Sequence, residues 1–285
     1  STTPTCMWPT RMVQISEHTI RVLAFDFGTM AGQYAALSYC WGSQSELEQN
    51  PPYKMTTSTF GELQCGVSWL KMPLTLQHAF TLCKSLGIEY IWIDSLCIMQ
   101  AQCQNDAEAA HDWNTESSKM AAIYSNSKLT IIAASGSSCH SGFLKTDILY
   151  GGTVLTTSSA HLPENICFAA WDSSSTSESG FHVDQFSRCT SPLSQRGWAY
   201  QEEILSSRYV KFTNTDVLWT CHSDAKCMCR EDPASDYLNQ WRRRNMESPL
   251  KPVFRWTRML DNYSQRLLSK QFDKLVAISG LARMM

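Results

Sequence analysis

Apolar residues recur along this chain with two different periods, and the switching between them predicts an α/β protein. Residues 11–27 alternate well enough for two short strands around Glu17 and His18. Residues 34–41 form an apolar run closed by Gly42, which reads as a buried strand. Residues 43–68 are polar and rich in turn formers, and read as a loop. Pro73 suits the first turn of a helix, where its missing N–H is not needed. Leu76, Ala79, Phe80, Cys83 and Leu86 then share one helical face, and Gly87 stops the helix. Residues 88–94 make a second buried strand. Trp113, Met120, Ile123 and Tyr124 mark a second amphipathic helix, and residues 129–134 a third apolar strand ended by Ser135, Gly136 and Ser137.

This is a β–α–β–α–β unit over about residues 34–135. Strands alternating with helices imply a parallel sheet covered on both faces. Ligand sites in such sheets lie at the carboxyl ends of the strands. Here those ends carry Ser38, Tyr39, Cys40, Trp41 and Gly42, then Asp94, Ser95, Leu96 and Cys97, then Ser135 to Ser137. Further on, residues 136–190 are rich in Ser, Thr and Gly, with a weak strand at 166–170 and a surface loop at 171–180. Residues 198–205 read as a short helix, 209–212 and 217–221 as a hairpin, and 254–268 as a helical stretch. The whole is expected to be one domain, 1–285. It comprises the α/β core at 34–135, the connection at 136–190, and the helix, hairpin and helical tail at 191–285.

Bulk properties narrow the function classes. Of 285 residues, 43% are hydrophobic and 18% charged, which suits a globular protein and is too apolar for a disordered one. The net charge is −2 and the densest basic cluster is Arg242 to Arg244, so nucleic acid is not an expected partner. No apolar run approaches the roughly 20 residues of a membrane span, and residues 1–11 lack the apolar centre of a signal peptide. Twelve cysteines are scattered through the chain, and Cys40, Cys97 and Cys167 sit inside apolar strand patterns. That distribution predicts free thiols in a reducing, cytoplasmic setting rather than a disulfide scaffold.

Five groups of residues could carry chemistry. Glu116 lies on the apolar face of the second helix with Trp113 and Met120, so it must be paired, hydrogen-bonded or facing a cleft. Asp94 closes an apolar strand; it is either a site carboxylate or the cap of the following turn. Cys40 and Cys97 stand at strand ends, as nucleophiles or as small buried residues. Arg196 precedes Trp198, Gln201 and Glu202, polar groups on a largely apolar helix; it could hold a ligand anion or pair with Asp94 or Glu116. Cys221, His222, Cys227 and Cys229 fall within nine residues, but their spacing is less usual for zinc and no second ligand pair is evident, so no metal is assigned. No Walker loop and no Gly-x-Gly-x-x-Gly is present, and no cofactor is expected.

Three blocks in order resemble the heterokaryon-incompatibility (HET) domain of filamentous fungi. They are YAALSYCWG at 34–42; GIEYIWIDSLCIMQ at 87–100 continuing through 112–124 and 129–135; and SPLSQRGWAYQEEILSSRYVKF at 191–212, followed by VLWTC at 217–221. Residues 273–282 resemble the family's C-terminal stretch. Two departures are a longer insertion between Gln100 and Asp112, and an end soon after residue 282, where a truncated or short member is expected. The resemblance implies a cytoplasmic effector of allorecognition and programmed cell death. It also implies a Rossmann/TIR-like core, because HET domains are regarded as distantly similar to Toll/interleukin receptor (TIR) domains. Some TIR domains hydrolyse NAD⁺ through a helix glutamate, and Glu116, in the order Trp-x-x-Glu, is similar to it.

The expected catalytic residues are accordingly Glu116, Asp94 and Cys97. Those expected to bind substrate are Ser38, Tyr39, Cys40, Trp41, Gly42, Ser95, Arg196, Trp198, Gln201 and Glu202. NAD⁺ or a related nucleotide is the expected ligand. Two other readings stay open: an enzyme acting on a secondary metabolite through a strand-end Cys/Asp/Glu site, and a non-enzymatic module that works by self-association.

Overall fold

Segments whose every residue is buried mark the centre of the fold. In the computed structural model, β3 (Tyr34–Ser38) and β6 (Leu129–Ala133) are buried at each position, as strands covered on both faces must be. The structure describes residues 8–25, 32–144, 191–214, 217–221, 252–268 and 273–283, with short strands at 154–155, 168–169 and 225–227.

These two strands sit within a nine-stranded mixed sheet. β3 pairs in parallel with β5 (Tyr90–Trp92) on one side, with Ala35 opposite Ile91, and with β6 on the other, with Leu37 opposite Ile131. The three expected strands are therefore parallel neighbours. A fourth, β9 (Arg208–Phe212), extends the parallel core beyond β6. Antiparallel wings flank this core. One adds β1 (Arg11–Ile15), β2 (Thr19–Ala24) and the two-residue edge β4 (Val67–Ser68) beside β5. The other adds β10 (Val217–Cys221) and β11 (Ala225–Cys227) beside β9. The wing strands alternate buried and exposed positions, the pattern of sheets with one solvated face. β7 (Val154–Leu155) and β8 (Phe168–Ala169) form a separate pair, the latter inside the expected weak strand.

The helices depart from expectation in three places. Residues 43–68, expected to be a loop, contain α1 (Gln44–Gln49) and α2 (Phe60–Cys65). α1 buries nothing and rests on a reciprocal capping box between Ser43 and Glu46. The next helix, α3 (Leu74–Ser85), follows Pro73 as expected, and Gly87 adopts φ +66° beyond its end. Second, β5 stops at Trp92, and Asp94 opens a one-turn helix, α4 (Asp94–Cys97), instead of closing the strand. Third, the second amphipathic helix is two: α5 (Ala107–Ser117) and α6 (Met120–Asn126), broken at Ser118 and Lys119.

Three helices form a layer on the sheet. Tyr34 Oη donates to Ile123 O of α6, and Tyr124 Oη to Leu37 O of β3, which lock α6 to the central strand. α7 (Gly197–Leu205), expected from the sequence, packs on α6. The C-terminal pair is α8 (Pro252–Ser264) and α9 (Asp273–Ala282), and α9 packs on α6 and α7 so closely that a Cβ at Gly280 would lie 2.4 Å from Ala121 of α6 and 2.7 Å from Gln201 of α7. No described helix is long and apolar enough to cross a membrane.

Candidate functional site

Winding from β3 to β5 and back across to β6 reverses direction at β3, so a crevice is expected beyond the carboxyl ends of β3 and β6. The turn after β3 carries Tyr39, Cys40 and Trp41. Gly42 ends it at φ +120°, where a Cβ would meet Ser138 at 3.0 Å. α4 opens beside this turn with Asp94, and α7 brings Arg196 and Glu202 over it from the later part of the chain.

Asp94 is held by two donors. Trp41 Nε1 reaches Oδ2 at 2.8 Å, and the Ser95 N–H reaches Oδ1 at 2.7 Å. Tyr39 lies under them, its ring stacked on Trp41 at 6.4 Å and its hydroxyl donating to Ser95 Oγ at 2.9 Å. Arg196 donates from Nη1 to the Tyr39 carbonyl. Its charge acts on Tyr39, Cys40, Asp94 and Glu202, yet none of the described ion pairs includes it. Arg196, Asp94 and Trp41 are all partly exposed, while Ser38, Tyr39, Ser95 and Glu202 beneath them are buried.

Electrostatics follow from that burial. Loss of water raises Glu202 to about 7, with Arg196 opposing and Asp94 adding to the rise. Burial likewise raises Asp94, against the pull of Trp41 and Arg196. Ser38 lies against Glu202, but its Oγ makes no hydrogen bond of ordinary geometry; nor does the buried Ser135 Oγ at the end of β6. Buried hydroxyls without partners are uncommon and call for an explanation.

Several expected site residues stand elsewhere. Glu116 is 3% exposed and fully engaged: Lys119 Nζ lies 2.8 Å from Oε1, and Thr10 Oγ1 donates to Oε2 at 2.6 Å. Its partner is therefore Lys119, not Arg196, and it is not among the charges acting on Asp94 or Glu202. One turn earlier, Asp112 takes both oxygens to Arg11 Nη2 at 2.6 Å and accepts the Met99 N–H. Together these pairs form a seam between β1 and α5. Cys97 is wholly buried, and burial pushes its thiol up to about 12, the reverse of what a nucleophile needs. Burial raises Cys40 as well, in spite of Arg196. Gln201 gives its amide oxygen to the Gly280 N–H, and Trp198 packs edge-on to Trp113 at 5.9 Å. Both are scaffold contacts of α7.

Six described cysteines, Cys40, Cys65, Cys83, Cys97, Cys103 and Cys139, are free thiols. His222, Cys229 and the side chain of Cys227 lie outside the described residues, as do residues 171–180 and Cys167. Among the described residues no group of three or more His, Cys, Asp or Glu could hold a metal. Residues missing from the expected set are Ser135 and Tyr124. Ser135 was placed at a strand end by the pattern, but nothing in sequence marks its hydroxyl as unpartnered.

The family model described as "Heterokaryon incompatibility protein (HET)" matches residues 34–202, more than half of the chain and nearly all of the elements that build this site. No curated protein and no solved structure matches it.

Proposed function

The chain belongs to the heterokaryon-incompatibility family, and from that premise we propose that it acts in heterokaryon incompatibility as an intracellular cell-death effector, with Asp94, Arg196 and Glu202 as its functional centre. One observation carries this reading. Arg196 is a partly exposed cation between two carboxyl groups at the sheet's carboxyl edge, and it forms no close ion pair with either. A structural salt bridge would close that gap. A group kept open beside a buried acid with a raised pKa is the arrangement that active sites use.

The finer reading is cleavage of NAD⁺ or a related nucleotide. On this reading Glu202, rather than Glu116, would face the ribose, and Trp41 would stack at the rim. Charge that develops as a leaving group departs would be stabilised by Asp94 or ionised Glu202.

Expression of wild type and Arg196→Met in fungal cells tests the centre. Thermal melts should show both folded, while killing falls on the order of a hundredfold in the variant. A folded Arg196→Met protein that kills as well as wild type overturns the assignment. Cell NAD⁺ measured alongside decides the finer reading: death with NAD⁺ unchanged excludes it.

A further inference from the structure

The chemistry of the centre specifies its ligand more narrowly than family membership does. A guanidinium presents five N–H donors in a planar fork suited to phosphate or carboxylate. The Tyr39 carbonyl accepts from Nη1 of Arg196 and the Cys40 side chain lies within its reach, which leaves further donors of the fork. The two carboxyl groups beside it are hydrogen-bond acceptors, and Asp94 spends its two inner contacts on Trp41 Nε1 and the Ser95 N–H. Each carboxylate oxygen has lone pairs to spare. Ser38, 1% exposed, brings a hydroxyl to Glu202 without a bond of ordinary geometry. Finally, the partly exposed Trp41 ring, backed by Tyr39, offers a flat apolar wall.

Each simple ligand meets an obstacle here. A bare anion gains Arg196 but faces Asp94 and Glu202 with nothing to offer them. A bare cation gains the carboxylates but faces Arg196. An uncharged sugar leaves the guanidinium fork unfilled. A molecule with an anionic end and a neutral, hydroxyl-bearing end satisfies all of them.

Resting on the reading that this cluster is the functional centre, we propose that it binds a phosphorylated sugar, with the phosphate on Arg196, hydroxyls donating to Asp94 and Glu202, and the sugar's C–H face against Trp41. Binding then moves a proton. A phosphate on Arg196 cancels the charge that favours ionised Glu202, so near neutral pH Glu202 takes up a proton as the ligand binds. A cationic ligand would do the opposite and release one.

Isothermal titration with ribose 5-phosphate, inorganic phosphate and ribose tests this, at pH 7 in two buffers of different ionisation enthalpy. Wild type should bind ribose 5-phosphate at least about tenfold more tightly than either part, each tenfold being about 1.4 kcal/mol. Proton uptake should accompany binding and disappear in Glu202→Gln, and Arg196→Met should lose the advantage of the phosphorylated sugar over ribose. Equal binding of phosphate and ribose 5-phosphate, proton release, or no saturable binding of any probe overturns the proposal. If Arg196→Met is folded and does not kill, yet wild type binds no sugar phosphate, the ligand class fails and the centre stands. If folded Arg196→Met kills normally, the centre itself fails.

Discussion

Two buried glutamates, Glu116 and Glu202, sit on helices of the same fold and have been given opposite surroundings. Glu116 meets a lysine three residues on and a threonine from the strand-1 end, so each oxygen has a partner. Glu202 is buried on α7 with a cation near enough to act on it but not to touch it. The first arrangement fixes a charge in place and joins α5 to the β1 wing, beside the Arg11–Asp112 pair. The second leaves a proton poised to come and go. Burial alone does not distinguish a structural acid from a functional one; what decides is whether a close counter-charge has already been supplied.

The largest effect should come from breaking the satisfied acid. Glu116→Gln leaves Lys119 without its counter-charge, and urea denaturation should show a loss of about 3–5 kcal/mol. Adding Lys119→Met should recover part of it, because the uncompensated charge goes too. Loss of killing without loss of stability in Glu116→Gln would reverse the comparison and return catalysis to that residue.

The second effect is a pH dependence belonging to Glu202 alone. Its carboxyl stands at about 7 in the fold and near 4.5 ordinarily, so the folded protein holds the proton more tightly than the unfolded chain. The stability it contributes is complete below about pH 4.5 and is lost as pH rises towards about 7, at up to about 1.4 kcal/mol per pH unit. Denaturation curves of Glu202→Gln should lack that slope; an unchanged slope would mean that the titration belongs to another group.

A smaller change follows from Trp41→Phe, which keeps the ring but removes the bond to Asp94 Oδ2. It should cost about 1–2 kcal/mol, since a hydrogen bond to a charged acceptor is lost at a partly exposed position. The smallest concerns His78, whose Nδ1 accepts the N–H groups of both Phe143 and Leu144 at 3.0 Å. Burial lowers its pKa, so stability is full above the ordinary histidine range and falls as pH drops below it. Replacement by Phe should remove a dependence under about 1 kcal/mol between pH 7 and 6. A variant that retains it would place the titration elsewhere.

The parallel core was legible because strands buried on both faces read as unbroken apolar runs, and Tyr34–Ser38 and Leu129–Ala133 do so. The helix break at Ser118 and Lys119 was not, because the apolar spacing from Trp113 to Met120 and Tyr124 runs through it. That unbroken spacing also lent Glu116 its apparent place on a single helix face. α1 was overlooked although Ser43 and Glu46 carry the capping signal for it, since a helix with no buried residue has no apolar period to detect. Asp94, Arg196 and Glu202 were each singled out by position, but only the fold brings residues so distant in sequence to one crevice and leaves Glu116 outside it. The unpartnered hydroxyl of Ser135 is a property of what does not reach it, and no local pattern encodes it.

Neighbouring strands β6 and β9 are far apart in sequence, and the stretch between Leu144 and Ser191 joins two anchored points. His78 grips Leu144, and Ser191 caps the turn that leads to Arg196. Loop-closure entropy grows only with the logarithm of the separation along the chain, roughly 0.6 kcal/mol for each doubling, so pairing β6 with β9 over so many residues costs little more than pairing near neighbours. The anchors at Leu144 and Ser191 thus fix where the chain leaves the crevice and where it returns, and the long separation in sequence adds little entropic penalty.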